Sequence, residues 1–284
     1  MPIEIRPFVP SPQGLEEAAT LLRSAFPEAQ HFNAAYLDWN YLRNPDGKAL
    51  AFNAYDAEDL VAHFASSPMR ARILGREEMG LLTQHAVTKP RYEGKGLFKT
   101  LVEATMKAGA EAGYGHAIAM ANANSVFAFV KRLGFEYVCH LDVRVGVGPS
   151  PRGAPDLDVD FDRVWTPEAL KWRLSRPDDP YRARRVGDRM ITYANSRILG
   201  IQVELGTFPI DLVAPGPPDL RTRNPARVWI GLDPGRQWRF RPYVNLPVRL
   251  RPTPLNFTIR DLTSQQRHFR RGRILLDALD FDAY

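Results

Sequence analysis

The sequence predicts a mixed α/β (α+β) fold, a sheet flanked by helices and built in two tandem copies. Three observations carry that expectation. Leu81–Val87 and Leu97–Glu111 read as a strand and a helix joined by a glycine turn, and His116–Ala121 and Val126–Arg132 repeat the strand-then-helix order. A Gly/Pro-rich stretch, Gly146–Pro155, divides the chain. On either side of it a Trp-centred segment recurs.

The elements follow in order. Ile3, Ile5 and Phe8 alternate with polar residues and predict a first strand. The start Met1–Arg6 has no apolar core, so it is not read as a signal peptide. A helix-like segment around Trp39 ends at Pro45, and apolar alternation from Ala51 to Phe64 follows it. Leu81–Val87 is a short apolar strand, closed by Pro90. In Leu97–Glu111 the apolar residues Leu97, Leu101, Ala104 and Ala108 recur at helical spacing. After Gly113-Tyr114-Gly115 come the strand His116–Ala121, then Asn122–Ser125, then the helix Val126–Arg132, stopped by Gly134 in Leu133-Gly134-Phe135.

The turn Arg91-Tyr92-Glu93-Gly94-Lys95-Gly96 carries the chemistry. At the start of a helix the backbone N–H groups have no internal partners, and the helix dipole adds roughly half a positive charge there. Glycines without Cβ let a bulky anion approach, so the geometry suits a phosphate or pyrophosphate. A dinucleotide fingerprint requires a third glycine where Lys99 stands, and a P-loop requires Gly-Lys-Ser/Thr where the chain has Gly96-Leu97-Phe98. Neither motif is met. Lys95, Lys99 and Arg91 are candidate phosphate partners.

An Arg91-x-x-Gly94-x-Gly96 turn, followed by Asn122-x-x-Ser125 and Leu133-Gly134-Phe135, resembles the GNAT N-acyltransferase superfamily over residues 81–138. The resemblance implies a mixed, mainly antiparallel sheet and an acyl-CoA pyrophosphate loop formed by Arg91, Tyr92, Glu93, Gly94, Lys95, Gly96, Leu97 and Phe98. It also implies that backbone groups around Ala86 and Val87 pair with the pantetheine arm, and that Asn122 or Asn124 contacts it or positions the following helix. The co-substrate expected is acetyl-CoA or another short acyl-CoA, with no metal. The reaction expected is acyl transfer to a primary amine. That amine must be neutral to attack, so a base is needed, and a well-placed one contributes roughly 10²–10⁴ in rate.

His85 is the only titratable side chain in its strand, and a two-residue period would set it on one face with Thr83 and Leu81. It is the expected catalytic base; Glu77 and Glu78 are alternatives. Many family members carry a general-acid Tyr four residues before the glycine of the Leu-Gly-Phe turn. This chain has Val130 there, and Tyr92, Tyr114 and Tyr137 do not match the position.

Composition narrows the class further. With 284 residues and 44% hydrophobic content, the chain can bury a large core, and no apolar run is long enough to span a bilayer. A single cysteine, Cys139, excludes an internal disulfide and fits a cytoplasmic setting. The net charge of +6 lies in the second half, where residues 146–284 carry 23 Lys+Arg against 16 Asp+Glu. Those arginines are interspersed with acids, and no zinc-ligand or RNA motif accompanies them, so nucleic acid is not the expected partner.

Beyond the linker, Leu170-Lys171-Trp172 with Arg176 echoes Leu37-Asp38-Trp39 with Arg43, each followed closely by Pro-Asp. Alternation from Met190 to Leu205 then matches Ala51–Phe64. The expected organisation is an acyl-CoA-binding domain, 1–145, and a degenerate second copy, 158–284. The second copy lacks the glycine turn and is broken by Pro215-Gly216-Pro217-Pro218 and Leu246–Pro252, so it would wall the acceptor pocket. Doubled members of the family resemble acyltransferases for small-molecule amines, including nucleotide-linked amino sugars, in a monomer or homodimer. A protein-lysine acceptor and a non-catalytic acyl-CoA-binding module are the alternatives. Phe32, Trp39 and Tyr41 are candidates to stack on an acceptor ring.

Overall fold

The computed structural model describes residues 2–281 except 149, 152, 155–156, 178–180, 197–199, 213–225, 240 and 252. Pro215–Pro218 and Pro252 of the proline-rich segments, and Asp178 of the Trp repeat, lie outside the described residues.

The first half runs β1 (Glu4–Pro7), α1 (Pro12–Ala25), α2 (Ala34–Leu42), β2 (Leu50–Asp56), β3 (Asp59–Ile73), β4 (Arg76–Thr88), α3 (Leu97–Glu111), β5 (His116–Ala121), α4 (Val126–Arg132), β6 (Glu136–His140) and β7 (Asp142–Val147). The second runs β8 (Phe161–Arg163), α5 (Pro167–Leu174), β9 (Arg182–Val186), β10 (Arg189–Asn195), β11 (Gln202–Pro209), β12 (Ala226–Leu232), β13 (Tyr243–Asn245), β14 (Asn256–Asp261) and β15 (Ile274–Asp277). The four elements expected from Leu97 to Glu111, His116 to Ala121, Val126 to Arg132 and around Trp39 are all present. Helix α1 is additional. Ser11 caps it by accepting from the Gly14 amide at 3.0 Å, and Pro12 opens its first turn.

Among the described residues the strands form one mainly antiparallel sheet, ordered β6-β14-β5-β4-β3-β8-β15-β12-β11-β10-β9. Strands β1 and β2 extend it on β3, and β7 and β13 attach at β12. The parallel pairings are β4 with β5, β11 with β12, and β8 with β15.

Strands β9–β12 repeat the connectivity of β2–β5: two antiparallel hairpin steps, then a short parallel pairing. Each third strand carries a bulge, in β4 between Gln84 and Val87 and in β11 between Glu204 and Gly206.

The segments 1–145 and 158–284 nevertheless interleave. Strand β14 lies between β5 and β6, and β7 pairs with β12 and β13. A single residue, Leu141, separates β6 from β7, which is too short for a hairpin loop of two or more residues. The chain therefore runs on into the second part of the sheet, and residues 256–261 fill the place between β5 and β6.

Three apolar clusters hold the layers together. One lies between α3 and the β3–β5 surface, including Leu81, Leu97, Leu101, Phe129 and Phe135. The second joins α1 and α2 to β3. The third spans both halves, from Met69 and Ile118 to Phe257, Leu205 and Phe281. Cys139 is buried, and burial pushes its thiol up to about 11. Among the described residues no helix is long and apolar enough to cross a membrane.

Candidate active site

Strands β4 and β5 stay in register only from Gly80–Leu82 against His116–Ile118. Past that point they diverge, and a cavity of about 320 Å³ opens between them. Thr83, Gln84, His85 and Ala86 of β4 line one side, and Ala119 and Met120 of β5 the other. Phe98 closes the end nearest the glycine turn. Leu255 and Phe281 reach the same cavity from the second half.

His85 sits at the β4 bulge with φ +45°, a left-handed conformation that is costly for a side chain bearing Cβ. A bulge re-aims the side chains beside it. The simple alternation expected for Leu81, Thr83 and His85 is therefore broken: Leu81 packs in the core under α3, while Thr83 and His85 line the cavity.

The His85 ring meets two tyrosines of α2. Its Nδ1 is 2.9 Å from the Tyr41 hydroxyl, and its Nε2 is 3.4 Å from the Tyr36 hydroxyl. Tyr41 continues to His63 Nε2 at 2.8 Å, and His63 Nδ1 to Asn53 Oδ1 at 2.7 Å. Burial holds the Tyr41 phenol well above its ordinary value, so it stays protonated. Burial, followed by the nearby charge of His85, pushes His63 down to about 3, so it stays neutral. The sequence reading missed Tyr36 and His63 and took Tyr41 for a stacking residue. The one signal available was an α2 segment whose apolar positions include two hydroxyl-tipped aromatics.

Phe32, Trp39 and Tyr41 are not exposed walls for an acceptor ring. All three are buried, Phe32 edge-on to His85 at 5.3 Å and Trp39 against Trp172. Glu77 and Glu78 are not bases for this cavity either. They lie near the opposite end of β4, Glu77 paired with Arg72 at 3.4 Å, and Glu78 bound to His116 at 2.8 Å and Arg267 at 2.7 Å.

At the turn, Gly94 and Gly96 have φ +74° and +81°, and a Cβ at either would meet nothing within 4 Å. The glycines answer a backbone requirement beneath open space, which fits the approach of a large anion. Gly96 caps α3 without a side-chain hydrogen bond, and Leu97 and Phe98 begin the helix. The flanking side chains divide. Tyr92 turns inward, its hydroxyl donating to Asp56 at 2.6 Å. Arg91 pairs with Asp59 at 2.8 Å and stands 4.9 Å from the Tyr92 ring, and Lys95 lies 4.5 Å over that ring. Glu93 and Lys99 are exposed.

Asn122 lines the cavity and organises the loop ahead of α4, its Oδ1 accepting from the Asn124 and Ser125 amides at 3.0 Å each. The turn is thus held by Asn122, Ser125 is the N-cap of α4 and makes no side-chain cap bond, and Asn124 is exposed. Ala86 lines the cavity, while Val87 is buried against the α1–α2 side. Val130 lies on α4 and is half-buried; among the described residues the tyrosines Tyr36 and Tyr41 reach His85.

The sequence model of a family described as acetyltransferase (GNAT) domain matches residues 10–138. No curated protein matches the sequence. Among solved structures, a probable N-acyltransferase from Enterococcus faecalis V583 aligns with TM-score 0.63 at 10% identity, covering 92% of this chain and 73% of its own. A GCN5-related N-acetyltransferase from Anabaena variabilis ATCC 29413 aligns with TM-score 0.62 at 12% identity, covering 92% and 73%. Eis1 from Mycobacterium abscessus aligns with TM-score 0.58 at 12% identity, covering 92% and 74%. At these identities the likeness concerns the fold.

Proposed function

We propose that this chain, whose residues 10–138 match the model of the GNAT acetyltransferase domain, is an acyltransferase that moves an acetyl or other short acyl group from acyl-CoA to the primary amine of a small molecule. The observation that carries the reading is the cavity between the diverging ends of β4 and β5. His85 and Phe98 both line it, and Phe98 stands two residues past Gly96 of the glycine turn.

Bound acyl-CoA supplies an activated thioester carbonyl and a thiolate leaving group. In this reading, the amides at the start of α3 hold the pyrophosphate. The β4 backbone past Leu82, no longer in register with β5, faces the pantetheine arm. Gly94 and Gly96 keep that approach clear of side chains. His85 takes the proton from the acceptor ammonium before attack. The second half contributes Leu255 and Phe281 to the cavity, and one acyl-CoA site serves the whole chain.

Among the described residues Phe26, Phe64, Phe98, Phe129 and Phe281 line the cavity and no carboxylate does. Within the class of small amines this favours an acceptor with an alkyl or aromatic body over a nucleotide-linked amino sugar, whose hydroxyls and phosphates would need polar partners. Val130 at the family's tyrosine position favours one second reading, a domain that binds acyl-CoA without turnover. Release of CoA thiol separates the two. Acetyl-CoA with a panel of alkyl- and arylalkylamines should give thiol release that falls roughly 10²-fold or more in His85→Gln. Binding of acetyl-CoA with no thiol release from any amine would select the silent module.

A further inference from the structure

We propose that the buried chain Asn53–His63–Tyr41 is a positioning device that sets the tautomer of His85, leaving Nε2 as its lone-pair nitrogen. The proposal rests on the reading of His85 as the base and explains how that ring is made ready for the task.

The direction of the chain follows from donors and acceptors in turn. Asn53 Nδ2 donates to the Tyr55 hydroxyl at 2.9 Å, which turns Oδ1 toward His63. An amide oxygen only accepts, so His63 carries its proton on Nδ1 and presents a bare Nε2. The Tyr41 hydroxyl, 2.8 Å from that nitrogen, must then donate to it. A phenol has one proton, so toward His85 the same oxygen can only accept, and His85 Nδ1 must be the donor, at 2.9 Å. The neutral ring has a single N–H, which leaves Nε2 with the lone pair.

The device works because its members are dry. Asn53, Tyr41 and His63 are each no more than 2% exposed, so water cannot substitute for a missing partner, and with the Asn53 amide oriented as it is, reversing any one bond alone would leave an orphaned polar atom. Phe8 packs edge-on against Tyr41 and His63, with ring centroids 5.7 and 5.6 Å away, and closes the far side. The Tyr36 hydroxyl lies 3.4 Å from Nε2, longer than the 2.9 Å between Nδ1 and Tyr41, so it constrains the ring more weakly. A free neutral imidazole prefers its proton on Nε2, the arrangement that cannot act as a base at that nitrogen. The chain therefore inverts an intrinsic preference. It also holds the catalytic proton at His85: neutral His63 and the protonated phenol of Tyr41 do not take it onward, so it returns to solvent by way of the cleft.

The test is a long-range ¹H–¹⁵N spectrum of the full chain labelled at its six histidines, with His85 assigned by its absence in His85→Gln. The wild type should show His85 protonated on Nδ1 and bare on Nε2, and His63 likewise. In Tyr41→Phe, His85 should move toward the Nε2–H form, while Tyr36→Phe leaves it unchanged. His63→Gln gives a second route to the same shift should Tyr41→Phe fold poorly. Where an amine turns over, Tyr41→Phe should lower kcat about tenfold with KM for acetyl-CoA unchanged. A wild-type His85 protonated on Nε2, or a tautomer untouched by both Tyr41→Phe and His63→Gln, overturns the proposal. His85→Gln with full thiol release would instead overturn the assignment of the base, a separate result because the tautomer is read without turnover.

Discussion

Trp39 and Trp172 stack with ring centroids 4.9 Å apart, and each indole donates to the other's main-chain carbonyl, at 3.1 and 3.0 Å. The exchange is reciprocal, residue for residue, as in a contact across a two-fold axis. These are the matched positions of the Leu-x-Trp segment that recurs in the sequence, so the two occurrences of the segment touch each other at the same residue. Truncating Trp172 to Ala should cost about 3–5 kcal/mol in a urea titration. The double variant with Trp39→Ala should cost less than the sum of the singles, by about 0.5–3 kcal/mol. Strict additivity would show that the pair is two independent core residues.

Gly94→Glu fills the open space above the turn with a side chain and a negative charge at a left-handed position. In a thermal shift assay, CoA at about 100 times its Kd should stabilise the wild type by about 2.7 kcal/mol and leave the variant unmoved. An equal shift in both proteins would remove the pyrophosphate from this turn.

Strand β14 is the only contribution of the last forty residues to the sheet around β5 and β6 among the described residues, and Ile259 at its centre is 1% exposed. Ile259→Asp buries an unpaired carboxylate and should cost more than about 4 kcal/mol. Loss of CoA binding should accompany loss of the fold, although Ile259 lies more than a hundred residues from the turn. Retained CoA binding in residues 1–145 expressed alone would show that the first half stands without β14.

Asp160 predicts an acid limb of stability. Its carboxyl is buried, which raises its affinity for a proton, but hydrogen bonds from Arg270 and Arg273 outweigh that and hold it down at about 2. A depressed carboxylate stabilises the fold above the unfolded value of about 3.9, and that contribution is lost as pH falls through about 2. Urea midpoints should therefore drop between about pH 4 and pH 2. Asp160→Asn should flatten that limb and lower stability near neutral pH by about 2–3 kcal/mol, because two guanidinium groups lose their shared anion. A limb of unchanged slope in the variant would assign it to other carboxylates.

Local pattern made much of this molecule readable in advance. The helix Leu97–Glu111, the strand His116–Ala121, the helix Val126–Arg132 and the positive φ of Gly94, Gly96 and Gly134 depend on residues within a few positions of one another. Periodicity, capping and glycine freedom therefore reported them. The bulge at His85 did not announce itself, because it comes from a register offset against β3, and register belongs to a pair of strands.

By itself, then, the sequence determined the glycine turn, the mixed fold and the Trp-centred echo, all of them short-range or repeated patterns. Only the tertiary structure decided the rest. It placed Tyr36, Tyr41 and His63 around His85, passed β14 and β7 across between the two halves, and withdrew Glu77, Glu78 and Trp39 from the site. Those outcomes turn on which distant surfaces exclude water together. That choice is made by the packing of the whole chain, and no window of neighbouring residues contains it.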